Sequence, residues 1–400
     1  MPEQSLSSRR AILQAATALG IGAFAPHSLA HVGNIAAAAS MMTSGKDFFA
    51  YVGSRTTKER NARGSGISVY RVDGRSSKWT QVQTLDPYPN PSYLAFDRER
   101  RCLYAVHGDF SDISAFRIDG DSGKLTAINR ATTHGKNPVH LAIDPTNRFI
   151  VVANHLSSTL VVIERGSDGS AGAIVDEVKL EGRIGPHRIE QPFAKPHQVE
   201  FDRSGQYLVV PDKGLDQVFV FRFDSSAGKL TPASSASMQT REGAGPRHIA
   251  FHTDNRFAYV VNELDSTVVA CRFDAANGKL VPFQVLTTLP DTFVGNSRAS
   301  EIAVSPDGRL VLVSNRGYDS IATFSIDAGG RLSPVGCEPS GGKTPRFFAF
   351  DPGQRVIVAN EDSDEIVPFG ADPRSGRLLR TGDIVRTGSP VCIIFRPALI

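Results

Sequence analysis

The sequence predicts an all-β fold, a seven-bladed β-propeller whose ring is closed by the C-terminal strand pairing into the N-terminal blade. Three observations carry this. A phrase recurs that runs apolar strand, Asp/Asn/Gly turn, apolar strand, polar turn, apolar strand, with clear copies starting at Asn137, Lys195, Gly245 and Arg298. Copies spaced by roughly 45–60 residues and built from strands alone mark propeller blades. The ends of the chain also complement each other. The last copy, SPVCIIF from Ser389, has no partner strands after it, while FFAYVG from Phe48 lacks an inner strand before it. Joining the two in one blade removes exposed sheet edges.

In chain order, residues 1–30 read as a twin-arginine export signal. Ser8-Arg9-Arg10-Ala11-Ile12-Leu13 is followed by an alanine-rich apolar stretch from Ala15 to Ala25 and a small-residue site at Ser28-Leu29-Ala30. Residues 31–47 follow as a linker and 48–400 as the propeller domain. The inner strands start at Pro91, Pro138, Pro196, Pro246, Ala299, Pro345 and Pro390, which makes seven. Asp-Pro, Pro-Asp-Gly and Thr-Asn-Arg segments turn from the first strand of a blade to the second. Val/Ile/Phe enrichment and apolar alternation support strands throughout. Gly228-Lys229-Leu230 and Gly278-Lys279-Leu280 read as hairpin turns into the rim strand. Two insertions, Glu181 to Lys195 and Arg55 to Gly64, are long enough to lie over one face as loops.

The bulk properties exclude several classes. A chain of 400 residues with 40% hydrophobic residues and a formal net charge of +3 gives no bulk argument for nucleic acid or an acidic membrane. No membrane span is expected in the mature form, and ring closure predicts a monomer. The four cysteines, Cys102, Cys271, Cys337 and Cys392, lack CxxC or Cys/His ligand spacing, and three lie in apolar strand patterns. Their disulfide state is left open. No cofactor is expected, since P-loop, H-E-x-x-H, G-x-S-x-G and strand-borne G-x-G-x-x-G patterns are all missing.

The repeat separates structural positions from chemical ones. In an antiparallel pair the start of one strand lies beside the end of its neighbour. The residues after each leading proline and those ending each second strand therefore ring one mouth of the channel. The row His107, Asn154, Asp212, Asn262, Asn315 and Asn360 keeps mostly one type and reads as turn caps. The next position varies: Gly108, His155, Lys213, Glu263, Arg316 and Glu361. So do the positions after the leading residue, which include His197, Arg247 and Arg346, then Tyr93, His140, His248 and Glu301. Arg247, Arg316, Arg346 and Lys213 are thus expected to share one concave mouth with His155, His197, His248 and Glu263, an arrangement suited to an anionic ligand. Alternatives are a rim of mutually paired charges and a calcium site on the Asn ring with Glu263.

The phrase Gly243-Ala244-Gly245-Pro246-Arg247-His248, with Ala258-Tyr259-Val260-Val261-Asn262-Glu263-Leu264, resembles the seven-bladed propeller lactonase family. That family includes the propeller type of 6-phosphogluconolactonase and the carboxy-cis,cis-muconate cyclases. Pro196-His197-Gln198, Ser314-Asn315-Arg316-Gly317 and Thr344-Pro345-Arg346 fit as well. The resemblance implies a lactone-hydrolysing site on His197, Glu263, Arg247 and Arg316, with a lactone-forming cyclase as the alternative enzyme. His248, Arg346, Lys213 and His155 are the expected substrate-binding residues. Relatives often carry a second histidine where this chain has Lys195. Hydrolysis of a sugar-acid-type lactone in the periplasm or beyond is the expected function. A non-catalytic ligand- or protein-binding propeller is the other reading.

Overall fold

The computed structural model describes residues 45–398. The export segment and most of the linker lie outside the described residues. Seven sheets follow one another around the ring: six of four strands and one of five. The fifth strand of the last blade, Val385–Arg386, pairs beside its third. Blade 1 takes its inner strand, Pro390–Pro397, from the C-terminus; this strand runs antiparallel to Phe48–Ser54, with Phe48 opposite Pro397 and Gly53 opposite Cys392. The other blades occupy 91–132, 138–179, 196–239, 246–287, 298–339 and 345–386. No helix among the described residues is long and apolar enough to cross a membrane.

The second strand of each blade is buried on both faces because a neighbouring blade packs on each side. Cys102–His107, Phe149–Asn154, Tyr207–Asp212 and Phe257–Asn262 are buried at every position. This explains why these strands read as unbroken apolar runs instead of alternating ones. Tyrosines tie successive blades together. The hydroxyls of Tyr51, Tyr104, Tyr207 and Tyr259 donate to Gly123, Gly169, Ala276 and Gly330 carbonyls in the outer hairpin of the following blade, at 2.8–3.1 Å. The hairpin turn needs glycine for a second reason. Gly278 has φ +65°, and a Cβ there would lie 2.3 Å from the Tyr207 ring. The four cysteines are all free.

The turn from first to second strand is braced by aspartate. Asp97 Oδ1 accepts from the amides of Arg101 and Cys102, and Asp144 Oδ1 from those of Arg148 and Phe149. Blade 4 departs from the pattern. Its regular inner strand shrinks to Glu200–Phe201, with one further bridge between Pro196 and Asp212. The Gln198 side chain turns instead to blade 5, where its Oε1 accepts from Ile249 N at 2.5 Å.

Candidate active site

The leading residue of each inner strand sits opposite the last residue of the second strand: Pro91 faces His107, Pro138 Asn154, Pro246 Asn262, Ala299 Asn315 and Pro345 Asn360. The register then slips. Tyr93, His140, His248 and Phe347 are the next paired residues, so Ser92, Val139, Arg247 and Arg346 are bulged. A bulge re-aims the extra side chain, and here the aim is the channel mouth. In blade 6 both Ser300 and Glu301 lie within the slip. The asparagine row serves as bracing. Asn154, Asn315 and Asn360 donate through Nδ2 to the carbonyls of Thr133, Thr288 and Ser340 at 2.9–3.1 Å. Asp212 Oδ1 accepts from the amides of Lys195, Gly214 and Leu215. Among the described residues no cluster of three or more His, Cys, Asp or Glu forms a metal site.

Glu263 is the centre of the mouth. Its carboxylate is 5% exposed and meets four cations: Lys213 Nζ at 3.2 Å, Arg247 Nε at 3.2 Å, Arg316 Nη2 at 3.3 Å and Arg298 Nη1 at 3.7 Å. Burial alone would raise its pKa, but Lys213, Arg316 and Arg247 hold it well below the usual carboxylate range. The arginines are themselves steered by backbone. Arg247 Nη1 donates to Ser300 O at 2.6 Å, and Arg316 Nη2 to Ala299 O at 3.1 Å. Burial and the charges of Arg316 and Arg346 pull Arg247 down to about 9, so it still carries its charge at neutral pH. Arg346 completes the group, with Nε 3.9 Å from Glu361 Oε2.

Beside this cluster runs a chain of buried imidazoles. The ring centroids of His155 and His197 are 5.1 Å apart, those of His197 and His248 5.2 Å, and those of His248 and His140 5.6 Å. Burial, reinforced by nearby Lys213 for His155 and by Arg247 for His197 and His248, keeps them neutral: His155 is pushed down to about 3, and the others well below the ordinary histidine value. His155 Nδ1 lies 3.1 Å from Pro196 O. His248 Nδ1 lies 3.0 Å from Glu301 Oε1. Burial pushes the Glu301 carboxyl up to about 8, so it holds a proton at neutral pH. His197 Nδ1, His248 Nε2 and Glu301 Oε2 are buried with no protein partner. These residues, with Arg247 and Arg346, line a cavity of about 10 Å³. That is room for roughly one water molecule, which needs 10–15 Å³ and two to four polar partners.

All eight residues singled out in the sequence (His197, Glu263, Arg247, Arg316, His248, Arg346, Lys213 and His155) fall at this one mouth. Four further residues belong with them. Arg298 directly precedes the leading Ala299 and pairs with Arg316 across the strands, so its position in the repeat was a usable signal. Glu301 stood in a row already marked as variable. Arg55, only 3% exposed, enters from the loop after Phe48–Ser54, the second strand of blade 1, and lies 3.5 Å from Asp109. Glu190 comes from the 181–195 insertion, where no repeat offers guidance.

A larger cavity of about 460 Å³ opens at the other end of the channel, lined in part by Tyr93, His140, Glu200, Arg98 and Arg203. Its arginines are committed to backbone: Arg98 Nε donates to Asp144 O at 3.0 Å and Arg203 Nη2 to Phe251 O at 3.1 Å. The convergent ions, with unpartnered His197 Nδ1, His248 Nε2 and Glu301 Oε2, sit instead at the Glu263 mouth.

Residues 49–395 match the profile of the lactonase family with a seven-bladed β-propeller. The chain belongs to this family. It is 34% identical to a 6-phosphogluconolactonase of Bacillus subtilis over 87% of this chain and 98% of that protein. A 6-phosphogluconolactonase of Formosa agariphila is 33% identical over 82% of this chain and 94% of its own length. Among solved structures, the periplasmic gluconolactonase of Pseudomonas aeruginosa superposes with a TM-score of 0.81 at 32% identity, covering 88% of this chain and all of that one.

Proposed function

We propose that this family member hydrolyses a sugar-acid-type lactone at the Glu263 mouth of the channel, in the manner of a 6-phosphogluconolactonase. The carrying observation is the juxtaposition of buried Arg247 and partly buried Arg316 on Glu263 with neutral His197 and the proton-bearing Glu301–His248 pair. Hydrolysis adds water across the ring C–O bond. The hydroxyl goes to the carbonyl carbon and the proton to the ring oxygen.

In this reading Arg247 and Arg316 receive the carbonyl oxygen as it becomes an oxyanion. Glu263 anchors the two guanidinium groups; a carboxylate held down by its cationic neighbours is a weak base. His197 takes the proton of the attacking water. The charge of Arg247 opposes that step in the resting site, and an oxyanion forming on Arg247 offsets it, so His197 gains basicity as the reaction proceeds. The Glu301–His248 pair returns a proton to the leaving alkoxide. His155, behind His197, orients its ring, and Arg346 and Lys213 contact the polar groups of the sugar.

Export to the periplasm follows the Arg9-Arg10 pattern and is supported by the likeness to a periplasmic relative. A monomer follows from ring closure. Purified protein is expected to hydrolyse sugar lactones with undiminished rate in chelator, and Glu263→Gln and Arg247→Ala to cut turnover by about 10²-fold or more while the fold survives. Normal turnover in both variants would rule the site out. Cell fractionation and size-exclusion chromatography read the location and the oligomeric state.

A further inference from the structure

The 181–195 insertion is built to place one carboxylate. Gln191 is fully buried and fixes the loop: its Nε2 donates to Lys213 O at 2.9 Å and to Asp216 Oδ1 at 2.7 Å, and its Oε1 accepts from His187 N at 3.2 Å. Gly214 lets the loop approach, since a Cβ there would lie 1.8 Å from Phe193 O. The preceding residue, Glu190, points into the mouth. Its Oε2 accepts from Lys213 Nζ at 2.9 Å and its Oε1 from Arg298 Nη1 at 2.7 Å. Both cations also face Glu263, at 3.2 and 3.7 Å. Lys213 and Arg298 thus converge on the two oxygens of one carboxylate, which is the geometry that holds an oxyanion of a ligand.

We infer that Glu190 is a built-in anion filling the anion subsite made by Lys213 and Arg298, and that it selects lactones with an uncharged tail over phosphorylated ones. The inference rests on the lactonase reading and narrows its substrate class. A phosphate brings about −1.5 to −2 charges at pH 7 and needs the same two cations. It must either displace Glu190 or sit beside it as a like charge, and such repulsion is a standard source of specificity. A sugar hydroxyl, in contrast, donates to the Glu190 carboxylate and leaves both cations paired. Although burial acts against it, the hydrogen bonds and charges of Lys213 and Arg298 keep Glu190 ionised, with its pKa down at about 2. The negative charge the site then stabilises is the one created in the reaction, on Arg247 and Arg316.

The test compares kcat/KM for D-glucono-1,5-lactone and its 6-phosphate in wild type, Glu190→Asp, Glu190→Ala and Glu190→Ala/Arg298→Ala. The ratio within each protein cancels any loss of active enzyme. Wild type is expected to prefer the neutral lactone by about tenfold or more, and Glu190→Ala to shift the ratio toward the phosphorylated one by at least about tenfold, mainly through KM. Glu190→Asp keeps the wild-type preference, and removing Arg298 as well cancels the gain. An unchanged ratio in Glu190→Ala, or a wild type that prefers the phosphorylated lactone, overturns the inference. If wild type hydrolyses neither lactone, the lactonase reading falls, and calorimetric binding of 6-phosphogluconate decides the matter. Tighter binding to Glu190→Ala than to wild type upholds the role of Glu190, and equal or weaker binding overturns it.

Discussion

Replacing Glu263 by Gln keeps the side chain's size and removes its charge, which isolates the electrostatic role of the site. In the folded protein that charge faces Lys213, Arg247, Arg316 and Arg298 at 3.2–3.7 Å. Lys213 and Arg298 keep Glu190 after the change. Arg247 and Arg316 lose their carboxylate and keep neutral acceptors, among them the carbonyls of Ser300 and Ala299. Breaking a buried ion pair by removing one partner costs about 3–5 kcal/mol, and the surviving Glu190 contacts favour the lower end, about 3 kcal/mol. With an unfolding entropy of about 2.1 cal/mol/K per residue, a propeller of about 350 residues shifts by roughly 1.4 °C per kcal/mol, so the melting temperature should fall by roughly 4 °C. The loss should close at low pH. The folded-state pKa of Glu263 is depressed below its ordinary value of 4.5. Its stabilisation is therefore complete above that value and disappears as the pH falls through the lowered one. Turnover should drop by about 10²–10³, the scale of a lost oxyanion donor, because both arginines lose their alignment. A pH-indicator assay on D-glucono-1,5-lactone, corrected for spontaneous opening, reads the rate, and circular dichroism reads the melt. A kcat/KM within about threefold of wild type, a difference of under 1 kcal/mol in the barrier, would refute the reasoning.

Arg247→Lys should recover little of the activity lost in Arg247→Ala, since an ammonium cannot reach Ser300 O and Glu263 together as a guanidinium does; equal rates for Lys and Arg would contradict this. Glu301→Gln should erase the alkaline limb that protonated Glu301 imposes on kcat/KM near pH 8, as measured over a pH series. His140, His155, His197 and His248 are all held neutral in the fold, so the unfolded chain binds more protons below the ordinary histidine value of 6.5. Stability should therefore fall as the pH drops below that value, seen as lower urea midpoints at acid pH. Tyr259→Phe removes the 3.1 Å bond to Gly330 O between blades and should cost about 1 kcal/mol in urea unfolding without changing kcat.

The repeat made the fold and most of the mouth legible. Pro91, Pro138, Pro246, Ala299 and Pro345 align with their partners because an antiparallel register is fixed by apolar pattern and turn chemistry, both local in sequence. Ring closure was readable from two incomplete copies at the chain ends. What the sequence could not supply was conformation inside the irregular segments. The bulges that aim Arg247 and Arg346 leave no compositional trace, although they fall at the row where residue type varies. Glu190 and Arg55 lie in insertions without equivalents in other blades, so no register exists to place them. Protonation was equally hidden. Glu301 and Glu263 are one residue type in adjacent blades, yet burial raises one pKa while surrounding cations lower the other.

The bulge explains how one ring carries both a rigid core and variable chemistry. In a regular strand every side chain belongs to a face, and here both faces of an inner strand pack against neighbouring blades. A polar substitution at such a position would bury an unpaired group at a cost of roughly 1–3 kcal/mol. The extra residue of a bulge escapes that constraint because it has no cross-strand partner and points to the axis. Ser92, Val139, Arg247 and Arg346 occupy equivalent places and differ in size and charge, while Asn154, Asn262, Asn315 and Asn360 alongside them stay fixed as braces. Chemistry at the axis is thereby uncoupled from blade packing. The insertions have the same freedom, since the 181–195 loop adds the Glu190 carboxylate to the mouth from outside the seven sheets.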